Sequence, residues 1–218
     1  MWKSAEEFLL KDKYIAPLVK KYGHCTIKSR NKKYYFEDLV DAITQQQLSM
    51  KAASSIFNRL KEALATQNET ASKNSVEHKW RESRTLNVEI TPETILRLKE
   101  DDLRGCGLSR AKVFYLRDLS EKALNGELQV KNLDKLPDEE IIKKLVTVKG
   151  IGEWTAHMFL MFTLGRPDIF PSGDLGLRNA FEKIVKKGQD RKQMEKFAER
   201  WKPYKTVASW YLWRSLEN

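Results

Sequence analysis

Two cysteines, Cys25 and Cys106, are all that the 218 residues contain, and no CxxC pair occurs. The three histidines, His24, His78 and His157, form no cluster with them. That count excludes a four-cysteine iron–sulfur cluster or a structural zinc site. It also supplies no disulfide framework, so a reducing compartment is the expectation. No apolar run approaches the ~20 residues that a membrane-crossing helix needs. The opening "MWKSAEEFLLKDKY" is charged throughout and has no signal-peptide core. No glycine-rich phosphate fingerprint follows a strand pattern, which argues against a Rossmann fold or a kinase. No internal period marks a solenoid.

What is abundant is positive charge: forty Lys+Arg against thirty Asp+Glu give a net +10. Such an excess suits a polyanionic partner, nucleic acid first, or serves as a solubilising surface. Hydrophobic residues at 41% and charged residues at 32% describe a globular chain. Its length permits one large domain or two small lobes sharing a cleft.

The patterning is helical nearly throughout. Ser4 with Glu7 three positions later reads as a capping box opening a helix to about Lys21. "GHCTIKSRNKKYY" reads as a short connection with a strand-like turn. Phe36, Leu39, Val40 and Ile43 recur at helical spacing, and a second helix follows, capped near Ser49. Residues 67–90 are polar and patternless, a surface insertion with Trp80 as its candidate anchor. Thr91-Pro92 begins another helix, with Thr91 as N-cap. Ser109 begins one that stops near Asn125-Gly126, and Pro137 opens one to about Val146. Further helices start at Asp174 and near Thr206.

Residues 145–156, "LVTVKGIGEWTA", join two helical patterns through Lys149-Gly150-Ile151-Gly152. Glycines on either side of an aliphatic residue permit positive φ and close approach of another chain. The first N–H groups of the next helix lack intrahelical partners and can hold a phosphate oxygen. Lys149 adds charge, and Ile151 pins the turn onto the core. An ordinary helix–helix turn has the same local pattern.

Downstream, "IFPSGDLGLRNAF" sets Asp174 in a Pro/Gly-rich turn at the start of a helix. The whole stretch "LVTVKGIGEWTAHMFLMFTLGRPDIFPSGDLGLR" resembles the signature of the helix-hairpin-helix DNA glycosylase superfamily: hairpin, buried helix, and a loop ending in aspartate. Within it the chain is similar to the DNA-3-methyladenine glycosylase branch, which excises alkylated purines. "ITQQQLSMKAA" (43–53), "LRGCGLSRAKVFYLRDLS" (103–120) and "ERWKPYKTVASWYLW" (199–213) carry further similarity. The resemblance implies an all-α, two-lobed fold without the N-terminal β-sheet domain of some relatives, and an active site in the cleft between the lobes. The lobes are expected at 1–35 plus 117–218, and at 36–116 with the insertion at 67–90. The chain as a whole, 1–218, is expected to be one glycosylase unit.

The resemblance gives Asp174 the catalytic role. Breaking an N-glycosidic bond develops positive charge on the deoxyribose, which a fixed carboxylate stabilises while orienting the attacking water. Asp174 also fits an N-cap, and the two roles are compatible. Strand-nicking relatives carry a nucleophilic lysine in the helix after the hairpin. Here that position is Trp154, which implies a monofunctional enzyme leaving an uncut abasic site. A docking module without catalysis, or excision of oxidised or mismatched bases, are the alternatives.

A target base must be flipped out of the duplex, and the gap is commonly filled by an inserted side chain. Leu108 is a candidate wedge between Gly107 and the N-cap Ser109, or else a hydrophobic staple onto Val113. An alkylated purine is cationic, so aromatic faces favour it over the neutral base. Trp154, Trp213, Met158 and Tyr204 are candidates for the base pocket, with Gln46, Gln47 and Ser49 where relatives line the cleft. Trp at helical spacing is otherwise core, and so is His157. Arg110, Lys112, Lys149, Arg178 and Lys205 are candidate phosphate contacts. No cofactor or metal is expected, although a monovalent cation on the hairpin carbonyls is open. The expected partner is double-stranded DNA with alkylated bases, bound by a monomer in the nucleoid or the nucleus.

Overall fold

The computed structural model describes residues 1–72 and 89–217. Its helices are α1 (Lys3–Leu9), α2 (Ala16–Tyr22), α3 (Tyr35–Gln45), α4 (Met50–Ser72), α5 (Pro92–Arg97) and α6 (Glu100–Gly105). They continue as α7 (Arg110–Leu124), α8 (Asp138–Leu145), α9 (Glu153–Met158), α10 (Leu175–Ile184), α11 (Arg191–Ala198) and α12 (Lys205–Arg214). The described residues contain no strand, so the "GHCTIKSRNKKYY" segment is extended connection followed by a single 3-10 turn at Lys32–Tyr34.

Two compact units result, one of Met1–Arg30 with Glu153–Asn218, the other of Asn31–Gly152. These boundaries replace the expected ones at 35/36 and 116/117. Position 117 lies inside the unbroken helix α7, whose apolar side packs on α3, α5 and α6, so the chain cannot divide there. Residues 117–152, including α8, therefore belong with α3–α7.

The first unit departs from the single N-terminal helix expected. Ser4 lies inside α1, where Trp2 is the N-cap and no side chain caps the end. Asp12 then accepts the amides of Tyr14 (2.9 Å) and Ile15 (3.1 Å), a local bond that competes with helix continuation. Pro17 in the first turn of α2 suits a fresh helix start. The core beneath is aromatic: Trp201, Tyr211 and Phe181 are fully buried, and the Phe181 and Phe197 rings meet edge to face at 5.3 Å. Thr206, at the start of α12, donates to the Arg166 carbonyl at 2.6 Å and accepts from the Ile169 amide at 3.0 Å. Helix α12 thereby anchors the loop that leads to Asp174.

In the second unit the caps read from sequence are present. Thr91 and Thr94 form a capping box on α5, and Ser109 accepts the Lys112 amide at the start of α7. Asn125 ends α7, and Gly126 follows with φ +86°. Ser49 accepts the Ala52 amide at 3.3 Å ahead of α4. That helix continues to Ser72, past the start of the stretch expected to be irregular at residue 67. Trp80 and the rest of 73–88 lie outside the described residues.

Lys112 was expected at phosphate; it is engaged internally instead. Its ammonium donates to the carbonyls of Thr44 (2.8 Å) and Gln46 (2.7 Å), which close the C-terminus of α3. Burial lowers its pKa from the ordinary lysine value. The charge sits where the helix dipole favours a cation and where carbonyls lack intrahelical partners. Gly150 is equally constrained. Its φ is +81°, and a Cβ there would lie 2.2 Å from the Tyr115 ring. Gly152 has neither a positive φ nor a close neighbour, so only one of the two hairpin glycines is demanded by conformation.

Two stability effects follow. Lys112→Met removes two charge-assisted bonds and is expected to cost about 1–3 kcal/mol in urea unfolding. Its salt dependence of DNA binding should match that of the original protein, because the ammonium does not face phosphate. Gly150→Ala must adopt left-handed backbone and displace Tyr115, together costing roughly 2–4 kcal/mol. A melting temperature unchanged by that substitution would contradict the hairpin geometry.

Candidate active site

The carboxylate of Asp174 accepts three hydrogen bonds within the first unit. The turn Pro171-Ser172-Gly173-Asp174 is closed by the Asp174 amide donating to the Pro171 carbonyl at 2.8 Å. Asp174 is then the N-cap of α10, with Oδ1 accepting the Leu177 amide at 2.6 Å. Oδ1 also accepts Nε1–H of Trp213 at 2.8 Å, and Oδ2 accepts Nε1–H of Trp154 at 2.8 Å. Three N–H donors thus fix both oxygens, and bonds of this kind to a charged acceptor are about twice as strong as neutral ones.

Capping and orientation toward chemistry are therefore not alternatives. The cap uses Oδ1, while Oδ2, among the described residues, accepts only the indole of Trp154, a side chain 47% exposed. Trp154 and Trp213, expected as stacking faces of a base pocket, meet at the acid through their N–H edges. Gly176 makes this possible: a Cβ there would lie 3.2 Å from Asp174 Oδ1 and 3.5 Å from the Trp213 ring. Phe162, which the sequence reading missed inside an apolar run, lies 6.0 Å from Trp213 between ring centroids and is 41% exposed. It sits in a π-helical turn, Phe159–Thr163, whose other side chains apart from Phe162 are buried. The wider turn shifts the helical register, which brings this one aromatic outward. Leu175, next to the acid in sequence, is 67% exposed.

The remaining pocket candidates are less central. Met158 is half-buried on α9. Tyr204 packs edge-on against Phe8 at 5.6 Å and belongs to the aromatic core. His157 is half-buried, with burial lowering its pKa, as a core residue would be. Arg178 is exposed on α10. Lys205, expected at phosphate, is instead paired with Glu199 at 2.9 Å and Asp168 at 3.6 Å, its side chain only 14% exposed. Those two carboxylates are its partners because it opens α12 beside the acidic loop and the Glu199 turn.

In the second unit the hairpin supplies fewer free amides than expected. The Lys149 amide donates to Asp118 Oδ2 at 2.8 Å, and the Ile151 amide closes a turn on the Val148 carbonyl at 3.1 Å. Among the described residues the amides of Gly150 and Gly152 have no hydrogen-bond partner, and the Lys149 side chain is exposed beside them. Ile151, 4% exposed, pins the turn. Gln46 donates to the Gly150 carbonyl at 2.8 Å, so it braces the hairpin.

Leu108 is 3% exposed, a buried core position, so it does not present the side chain that a wedge requires. Gly107, at φ +97°, bends the chain so that Leu108 turns inward, while Ser109 and Arg110 remain at the surface. The exposed, strained element is instead the loop after α3. Gln47 has φ +58° without being glycine, and Leu48 and Met50 are 40% and 85% exposed. No sequence rule marks a glutamine for left-handed backbone.

Among the described residues no group of His, Cys, Asp or Glu could hold a metal ion, and no helix is long and apolar enough to cross a membrane.

Comparison with known proteins agrees with this geometry. DNA-3-methyladenine glycosylase 1 of Schizosaccharomyces pombe is 34% identical over 192 residues, 86% of this chain and 75% of that protein. An alkylbase DNA glycosidase-like protein of the same organism is 31% identical over 217 residues, 98% of this chain and 93% of that one. The structure of the Schizosaccharomyces pombe 3-methyladenine DNA glycosylase in complex with abasic DNA superposes with a TM-score of 0.76 at 30% identity, covering 99% and 98% of the two chains. A family model for base excision DNA repair proteins matches residues 40–203, and the chain belongs to the HhH-GPD superfamily.

Proposed function

We propose that this protein is a monofunctional DNA glycosylase that flips alkylated purines, of the 3-methyladenine and 7-methylguanine type, out of duplex DNA and hydrolyses their N-glycosidic bonds. The observation that carries this reading is the Asp174 carboxylate, held by two indole N–H groups and one backbone amide in an apolar, accessible setting. A carboxylate so fixed needs no reorganisation as the sugar becomes cationic, which is where preorganised electrostatics act. It also accepts a hydrogen bond from the attacking water. The base departs, water adds at C1′, and an abasic site remains.

The neighbours of Asp174 support hydrolysis over strand incision. The position after the hairpin is an indole, and among the described residues no lysine amine bonds the acid. An indole cannot form the imine that strand-nicking relatives need. A docking module gains nothing from a triply bonded acid near DNA phosphates. DNA phosphate is assigned to the Gly150 and Gly152 amides with Lys149, Arg110 and Arg178. The wedge is assigned to the Gln47 loop, since strained, exposed backbone concentrates at functional sites. No cofactor takes part in hydrolysis; the Gly150 carbonyl keeps a second lone pair for a monovalent cation. The protein acts as a monomer, in the nucleoid or the nucleus according to its cell of origin.

Free methylated base should be released from methylated DNA by the original protein and about 100-fold or more slowly by Asp174→Asn. Asparagine still caps α10 through its one oxygen, so the fold should persist, at a cost of about 1–3 kcal/mol for the Trp154 bond that its NH2 cannot accept. Equal release by the two proteins would remove Asp174 from catalysis, and a borohydride-trapped adduct would overturn the hydrolytic route. Gln47→Gly should be no less stable, because positive φ costs a non-glycine residue about 1 kcal/mol. It should slow release from duplex far more than from single-stranded DNA. An equal loss on both substrates would take the wedge away from this loop.

A further inference from the structure

Arg191, the first residue of α11, ties together three segments of the first unit. Its Nε donates to Ser172 Oγ at 2.8 Å and to Glu195 Oε1 at 3.0 Å, while Nη2 donates to Glu153 Oε1 at 2.8 Å. Ser172 Oγ in turn donates to Glu195 Oε1. Ser172 is 1% exposed and stands two residues before Asp174. Glu153 immediately precedes Trp154, whose indole donates to Asp174 Oδ2. A Cβ on Gly173 would lie 3.9 Å from Arg191 Nη1, so the guanidinium backs the turn at ordinary contact distance.

We propose that Arg191 is a positioning residue that sets the separation between the turn carrying Asp174 and the helix start carrying Trp154, and so the orientation of the carboxylate. The proposal rests on the hydrolytic reading above and adds to it a residue that touches neither base nor sugar.

Stability alone does not account for this arrangement. The Arg191 and Glu153 side chains are 48% and 51% exposed, and ion pairs so exposed contribute little to folding. The geometry, however, is that of a fork. A planar guanidinium reaches Ser172 and Glu195 through one edge and Glu153 through another, which a lysine ammonium cannot reproduce in a fixed plane. The acceptors are arranged to hold it. Burial raises the Glu195 pKa, but the Ser172 hydroxyl and Arg191 outweigh that and leave it below the ordinary glutamate value. Glu153 and Glu195 together raise that of Arg191. The start of α11 is itself fixed by the reciprocal capping box of Asp190 and Gln193. Every part of the clamp is thus held from behind, and what it positions is the pair Trp154–Asp174.

The test compares the full-length protein with Arg191→Gln, Arg191→Lys and Arg191→Ala, using single-turnover release of 7-methylguanine and binding of abasic duplex. A displacement near 1 Å at a reacting group costs on the order of 100-fold, so a loss of about 10-fold or more in rate is expected for Arg191→Gln. Affinity for abasic duplex should stay within about twofold, and Arg191→Lys should not recover the rate. Millimolar guanidinium should restore part of the rate of Arg191→Ala. In a nitrogen–proton correlation spectrum the Trp154 indole resonance, assigned with Trp154→Phe, should move in Arg191→Gln. A loss of affinity in place of rate would make Arg191 a phosphate contact and overturn the proposal. An unmoved indole resonance would also overturn it, even if the unsubstituted protein released no base and the hydrolytic reading had failed independently.

Discussion

The geometry of the first unit turns on one acceptor with three donors. A lone carboxylate in a turn samples many rotamers, and holding it costs side-chain entropy. Here the Leu177 amide, Trp154 and Trp213 hold Asp174 from three directions, and each donor belongs to a different segment. The amide comes from α10, which the same acid caps. Trp154 comes from α9, directly after the hairpin in sequence. Trp213 comes from the last helix, which also grips the preceding loop through Thr206. Bonds to a charged group contribute about 1.5–3 kcal/mol each, enough to outweigh the rotamer cost of one aspartate. The acid therefore organises the fold locally, joining three segments at one side chain.

The second unit shows a related economy around α3. Its C-terminal carbonyls would be left without partners where the chain turns sharply at Gln47. Lys112 satisfies two of them, and the side chain of Gln46 continues outward to the Gly150 carbonyl. One chain of hydrogen bonds thus runs from α7 through the end of α3 to the hairpin. The strained loop at Gln47 and the amides of Gly150 and Gly152 share that brace. Lys112 thus fixes the backbone at the end of α3 instead of adding its charge to the surface.

Much of this was legible in the sequence because it rests on local rules. Thr91, Ser109 and Asp174 stand where a short oxygen-bearing side chain precedes an apolar period, and each accepts an amide three residues on. Gly150 carried its own signal, since tight helical hairpins call for positive φ. What failed depended on contacts between distant positions. Lys112 and Lys205 look alike in sequence to surface lysines, and only the fold sets carbonyls or carboxylates against them. Leu108 was ambiguous between wedge and staple because its local pattern fits both, and burial speaks against the wedge. Phe162 was hidden for a different reason: a π-turn breaks the 3.6-residue period by which an exposed position would be recognised.

The two tryptophans illustrate how a tertiary contact refines a sequence expectation instead of replacing it. They were anticipated as stacking surfaces for a cationic base, and they serve as hydrogen-bond donors to the acid. Donation uses the indole edge, in the plane of the ring, and leaves both π faces unused. Trp154, 47% exposed, has a face to offer even while its N–H is committed. The bond to Asp174 then does more than orient the carboxylate: it fixes the plane in which that face is presented. The same contact therefore orients the carboxylate and the ring face together.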